Sequence, residues 1–96
     1  MSCTGEGEYF IRVSAASRIA LMCEEAGLSV QKSSAKTVQA LGDIGGHGGL
    51  IALDVDGNVA LEFNTAGMFR AYIRTGMEKP FVAINHDAEP LPDELE

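Results

Sequence analysis

Apolar residues recur at two different periods along the chain, and the change of period divides it. Residues 8–26 hold no glycine or proline. Tyr9, Val13, Ala16, Ala20 and Cys23 form one stripe there at helical spacing, with Ile11, Ala15, Ile19 and Met22 beside it. The pattern predicts one helix buried over much of its girth, with Ser14, Ser17, Arg18, Glu24 and Glu25 as a narrow polar face and Gly27 as a left-handed stop. A second helix is expected directly after it. Ser29 can cap it, Val30, Ser34, Val38 and Leu41 repeat every three or four residues, and Gly42 closes it. From Leu50 the period becomes two. Ile51, Leu53 and Val55 share one face, Asp56-Gly57-Asn58 turns, and Val59, Leu61 and Phe63 alternate in return, which predicts a β-hairpin. Residues 69–73 and 81–84 are shorter strand candidates around a turn that ends at Pro80.

Two helices packed on an antiparallel sheet make an α+β layer, expected to be one domain over residues 1–85. Residues 86–96 carry Asp87, Glu89, Asp93, Glu94 and Glu96, two prolines and no Lys or Arg, which predicts an acidic, disordered tail. The first helix is too apolar for a layer that covers one of its sides. That excess points to a larger whole, in which another segment or subunit completes the packing.

Composition narrows the partners. The formal net charge is −7, so the surface repels phosphate backbones and anionic lipid, and nucleic acid and membrane are not expected. Hydrophobic residues make up 46 %, enough for a core. No apolar run approaches the roughly 20 residues of a membrane span. The first residues have neither a basic nor an apolar signal region, so a cytoplasmic setting with Cys3 and Cys23 reduced is expected. Those cysteines and His47 and His86 lack the close spacing of a zinc site, and no metal or other cofactor is expected.

Three stretches could carry chemistry. Thr4-Gly5-Glu6-Gly7-Glu8 stands before the first helix, where glycines admit a ligand to the backbone and free amides favour negative charge, although spacing alone favours a plain helix entry turn with Glu8 complementing the dipole. The glycine-rich residues 42–49 lack the Lys-Ser/Thr ending of a phosphate loop and lead into a strand, which favours a flexible crossover. His47 within it has no acid or nucleophile at a spacing that would couple to it. Asn64-Thr65-Ala66-Gly67-Met68 could line a pocket or form a bend. Asp54 to Asn58 lacks the glycine and glutamate placement of a calcium loop.

Taken together, Ser2-Cys3-Thr4-Gly5-Glu6-Gly7-Glu8, Gly48-Gly49-Leu50-Ile51-Ala52-Leu53-Asp54 with Asn58-Val59-Ala60-Leu61, and Phe63-Asn64-Thr65-Ala66-Gly67-Met68-Phe69-Arg70 resemble the plant-type L-asparaginases, or isoaspartyl (β-aspartyl) peptidases, of the N-terminal-nucleophile hydrolases. The resemblance covers about residues 2–84 and only the C-terminal part of that family's β subunit. It implies part of an αββα sandwich and amide hydrolysis through an acyl-enzyme on an N-terminal threonine. It further implies that Thr4 and Gly5 face the developing oxyanion, and that Gly7 joins them in contacting a small β-aspartyl substrate. Glu6 stands where the family often has a small or polar residue. The nucleophile and the substrate clamp have no counterpart here, since Thr37, Thr65 and Thr75 are internal and Arg12, Arg18 and Asp43 sit in other contexts. Removal of Met1 would expose Ser2, which is chemically capable of the nucleophile's role, but its place two residues from the Thr4-Gly5 pair on one strand disfavours it, since a nucleophile faces the oxyanion hole across the site. An oligomer is expected, with an upstream segment or α subunit as partner and the chain alone inactive. The alternative is a catalytically inactive remnant, an interaction module that docks on a partner or on itself.

Overall fold

The computed structural model describes residues 1–86, so the acidic tail expected after Asn85 lies outside the described residues except for His86. The chain forms β1 (Ser2–Gly5), α1 (Gly7–Arg12), α2 (Ala15–Glu25), α3 (Val30–Asp43), β2 (Gly48–Leu53), β3 (Val59–Phe63), β4 (Arg70–Tyr72) and β5 (Phe81–Ala83), a mixed α+β arrangement. Three strands pair antiparallel in the order β1-β2-β3, and β4 pairs with β5 in a separate two-stranded sheet. The hairpin and the two shorter strands fall where the alternation predicts them.

The residues before the first helix form a strand, β1, and are not only an entry turn. The long first helix is broken. Ser14 sits in the left-handed region at φ 51°, between α1 and α2. The reason lies in its neighbours. Val13 and Ala15 are both buried and join Phe10 and Leu41 in one cluster. In a continuous helix, residues two apart point about 200° away from one another and cannot reach the same core. Turning the chain at Ser14 lets each apolar stripe be used on one side of the break. The Arg18 Nε–H donates to Val13 O at 3.0 Å across the joint.

α3 starts as expected. The Ser29 hydroxyl accepts from Lys32 N at 3.1 Å. Its end differs, because the helix runs through Gly42 to Asp43 and the left-handed residue after it is Gly45, at φ 88°. A run of small residues on α3 allows close packing on the sheet. Ser33, Ser34 and Thr37 are fully buried, Thr37 Oγ1 donates to Ser33 O at 2.8 Å, and Ser33 Oγ lies 3.4 Å from Cys23 Sγ.

The main core lies between the helices and one face of the three-stranded sheet, where Ile19, Val30 and Val38 meet Leu50, Ala52 and Ala60. The opposite face carries Ile51 and Leu53, both exposed, and Leu61. Between that face and β4 runs a cleft of about 440 Å³ lined by Ile51, Leu61, Ala71, Tyr72 and Ile73. No helix among the described residues is long and apolar enough to cross a membrane.

Candidate functional site

The register of the sheet decides what surrounds Thr4. Thr4 lies opposite Gly49, which in turn lies opposite Phe63, so a single row across three strands reads Thr4, Gly49, Phe63. Paired residues of an antiparallel sheet share a face. Thr4 therefore shares its face with Phe63, across a gap that Gly49 leaves without a side chain. A Cβ on Gly49 would stand 2.5 Å from Met68 Sδ, so the methionine fills that gap. The three stretches singled out in the sequence converge on this row.

Gly5 and Gly48 form the next pair, and both positions require glycine. Gly5 has φ 122°, and a Cβ there would lie 2.5 Å from His47 O and 2.7 Å from Gly48 Cα. A Cβ on Gly48 would strike Thr4 O and approach Phe10 Cε2 to 2.8 Å. The backbone at the end of β1 is thus in close contact with the loop that enters β2. Gly7 differs from both: it opens α1, and a Cβ there would meet nothing within 4 Å. Thr4, Gly5 and Gly7 are all exposed.

The loop expected to be a flexible crossover is held at successive peptide groups. Gly46 N donates to Leu41 O at 2.9 Å, and a Cβ on Gly46 would lie 2.7 Å from Tyr9 Cβ. Asn64 bridges the loop from β3: its Oδ1 accepts from Gly48 N at 2.9 Å and its Nδ2 donates to Gly46 O at 3.1 Å. Asn64 is thereby a framework residue. Thr65 Oγ1 donates to Gly67 O at 2.9 Å, which resolves that stretch as a bend closed by its own side chain.

His47 has the acidic partner that its sequence surroundings withhold. One oxygen of Glu6, Oε1, accepts from His47 N at 2.9 Å and lies 3.1 Å from His47 Nδ1. The carboxylate charge places the proton of that second contact on Nδ1. Glu6 N donates to His47 O at 3.2 Å, so the two residues are joined through backbone and side chain. Their separation of 41 residues hides the pair from any local pattern.

Beyond Phe63 the site has an aromatic and cationic wall. The His86 ring stacks on Phe63 with centroids 3.8 Å apart, and the Arg70 guanidinium lies 4.7 Å from the Phe63 centroid. His86 Nε2 donates to Thr65 O at 2.9 Å, and Arg70 Nη2 donates to Asn85 O at 2.6 Å. On the other side of Thr4, desolvation pushes the Cys3 thiol up although the residue is exposed, and the N-terminal ammonium only partly opposes it. A thiol held protonated is a poor nucleophile. What remains at the row is a set of neutral donors, the Thr4 hydroxyl and the local amides, beside a carboxylate engaged by His47.

Comparison with known proteins agrees with this convergence. A family model described as asparaginase matches residues 1–82. The chain is 52 % identical over 73 residues to the isoaspartyl peptidase of Escherichia coli, a match covering 75 % of this chain and 23 % of that protein. It is also 52 % identical over 73 residues to the isoaspartyl peptidase of Salmonella typhimurium, with the same coverage of 75 % and 23 %. A protein of Arabidopsis thaliana named "Probable isoaspartyl peptidase/L-asparaginase 2" is 40 % identical over 70 residues, covering 73 % of this chain and 21 % of its own. The chain thus spans less than a quarter of the length of these relatives.

Proposed function

We propose, from the premise that this chain belongs to the asparaginase family, that it is the part of an isoaspartyl peptidase/L-asparaginase that supplies oxyanion donors for hydrolysis of a β-aspartyl amide. The observation that carries the reading is the row Thr4, Gly49, Phe63 together with the Gly5–Gly48 pair. In the reaction, a nucleophile attacks the side-chain carbonyl of asparagine or of a β-aspartyl dipeptide, and negative charge develops on its oxygen. The Thr4 hydroxyl and the Gly5 amide donate to that oxygen. Donors held in place before the reaction need no reorganisation as charge appears, and losing one typically costs about 10²–10³ in rate. Gly7 leaves the approach to the pair open.

The nucleophilic threonine and the clamp for the substrate's α-carboxylate and α-amine come from a further segment of the enzyme, joined or separate. The expected activity of the isolated chain is therefore none. The experiment is release of aspartate from a β-aspartyl dipeptide, measured on the chain alone and with a segment carrying the nucleophile co-expressed. Activity restored only by co-expression, and reduced roughly 10²-fold by Thr4→Val but little by Thr4→Ser, supports the reading. Activity of the chain alone would overturn it and direct attention to Ser2.

A second reading rests on a different observation. Leu53, Phe69, Ile73 and Val82 are each more than 60 % exposed. An inactive module that docks through these faces would show association without hydrolysis in any combination.

A further inference from the structure

Glycine-rich segments have little stiffness of their own, so the loop that meets β1 depends on side chains reaching it from elsewhere. From β3, Asn64 ties down Gly46 O and Gly48 N. The His47 peptide between them is tied from the opposite side, where Glu6 Oε1 accepts both the backbone N–H and the ring Nδ1–H. Gly5 packs directly on this peptide, since the space for a Cβ is taken by His47 O and Gly48 Cα. A shift of His47 therefore has to displace Gly5. Glu6 does no work as a helix cap that would explain its presence, because it caps α1 without a side-chain hydrogen bond.

We propose that Glu6 is a positioning residue: through His47 it holds the 46–48 loop against β1 and so fixes the backbone of Thr4 and Gly5. The importance of this for catalysis rests on the oxyanion reading given above, whereas the positioning itself does not. Both partners are largely exposed, 71 % for the His47 side chain and 49 % for that of Glu6, and exposed ion pairs contribute little to global stability. The effect is consequently local. The pair sets a backbone position without holding the fold together.

Solution NMR on the full 96-residue chain tests this, comparing Glu6→Ala with Glu6→Gln and His47→Asn. In Glu6→Ala, the amide of His47 exchanges roughly tenfold faster, as for the loss of one charge-assisted hydrogen bond, and the proton contact between Gly5 Hα and Gly48 Hα weakens. The amides of Leu50 and Ala60 keep their rates. Glu6→Gln retains an acceptor oxygen and His47→Asn retains a side-chain N–H near the place of Nδ1, so both stay within about threefold of the parent. Unchanged exchange and an unchanged Gly5–Gly48 contact in Glu6→Ala would overturn the proposal, as would acceleration that extends equally to Leu50 and Ala60. If Glu6→Ala does not fold, His47→Ala against His47→Asn carries the test: faster exchange at residue 47 and a weaker glycine contact in the alanine variant support it, and equal behaviour overturns it. A loosened Gly5 without hydrolysis by the complete enzyme would leave the positioning role standing and remove the oxyanion reading, so the two can fail separately.

Discussion

At the scale of single residues, the glycines next to Thr4 do different things, and alanine separates them. Gly5→Ala forces a Cβ onto His47 O at a φ of 122° and is expected to lower stability by about 2 kcal/mol or more. Gly7→Ala fills open space at the first position of α1, where alanine is the better helix former, and should leave thermal stability within about 1 kcal/mol of the parent. If Gly7 admits substrate, that same variant loses activity in the complete enzyme while its melting temperature holds. Asp54 gives a prediction of another kind. Desolvation works to raise its pKa, but donation from the Asn58 side chain and from the amides of Asn58, Asp56 and Gly57 outweighs it, and the carboxyl is held below its ordinary value. A lowered folded pKa means the stabilisation is complete above the unfolded value of about 3.9 and disappears as pH falls through the folded one. Asp54→Ala should therefore lower stability by roughly 1–2 kcal/mol at pH 7, and the difference from the parent in thermal melts should shrink only below about pH 4. The turn that Asp54 closes is legible in Asp56-Gly57-Asn58, although the acceptor role of Asp54 emerges only in the fold. The Glu6–His47 pair and the Asn64 bridge are not legible, because each joins residues that only the strand register brings together.

Among the elements, the places where periodicity succeeds and fails have a common cause. α3 carries one apolar face, so its period and its burial agree, whereas the β2–β3 hairpin is apolar on both faces: the core takes Leu50, Ala52 and Ala60, and Ile51 and Leu53, which the alternation singles out, stay exposed. The segment of α1 and α2 carries two stripes, and a single long helix and a broken one satisfy such a pattern equally well. Only the demand that Val13 and Ala15 enter the same cluster distinguishes them, and that demand comes from Leu41 on α3, outside the segment. The break is maintained at a non-glycine residue in the left-handed region, which costs about 1 kcal/mol. Ser14→Gly should recover part of that and raise stability by up to about 1 kcal/mol, while the β-branched Ser14→Val should lower it by at least as much. Chemical denaturation of the two variants measures the difference. Equal midpoints would mean that the joint relaxes into a continuous helix. The glycine-rich loop shows the opposite failure, since composition alone reads as freedom where Tyr9, Phe10 and Asn64 in fact confine it.

For the whole molecule, the apolar excess noted in the sequence survives folding. The break at Ser14 accounts for part of it, yet Ile11 remains 78 % exposed and Leu53, Ile73 and Val82 more than 60 %. Leu53 ends β2 and Ile73 directly follows β4, where both line the cleft between the three-stranded sheet and β4, and Val82 sits on β5. Apolar area of this kind gains roughly 25 cal/mol per Å² when it is covered, so the surface favours association with whatever fits it. The family relationship gives a candidate in kind: the match covers only 23 % of a relative's length, which leaves that protein further segments. Replacing Leu53 and Val82 together by lysine should reduce binding of a hydrophobic dye and any self-association seen in sedimentation. The parent's melting temperature should be nearly kept, because neither side chain lies in the core clusters. Co-expression then assigns the surface. If a segment carrying the nucleophile suppresses dye binding by the parent and fails to join the doubly substituted chain, the exposed sheet faces are its docking surface. If self-association persists in the substituted chain, the contact lies instead on the helical side, around Ile11 and Leu21.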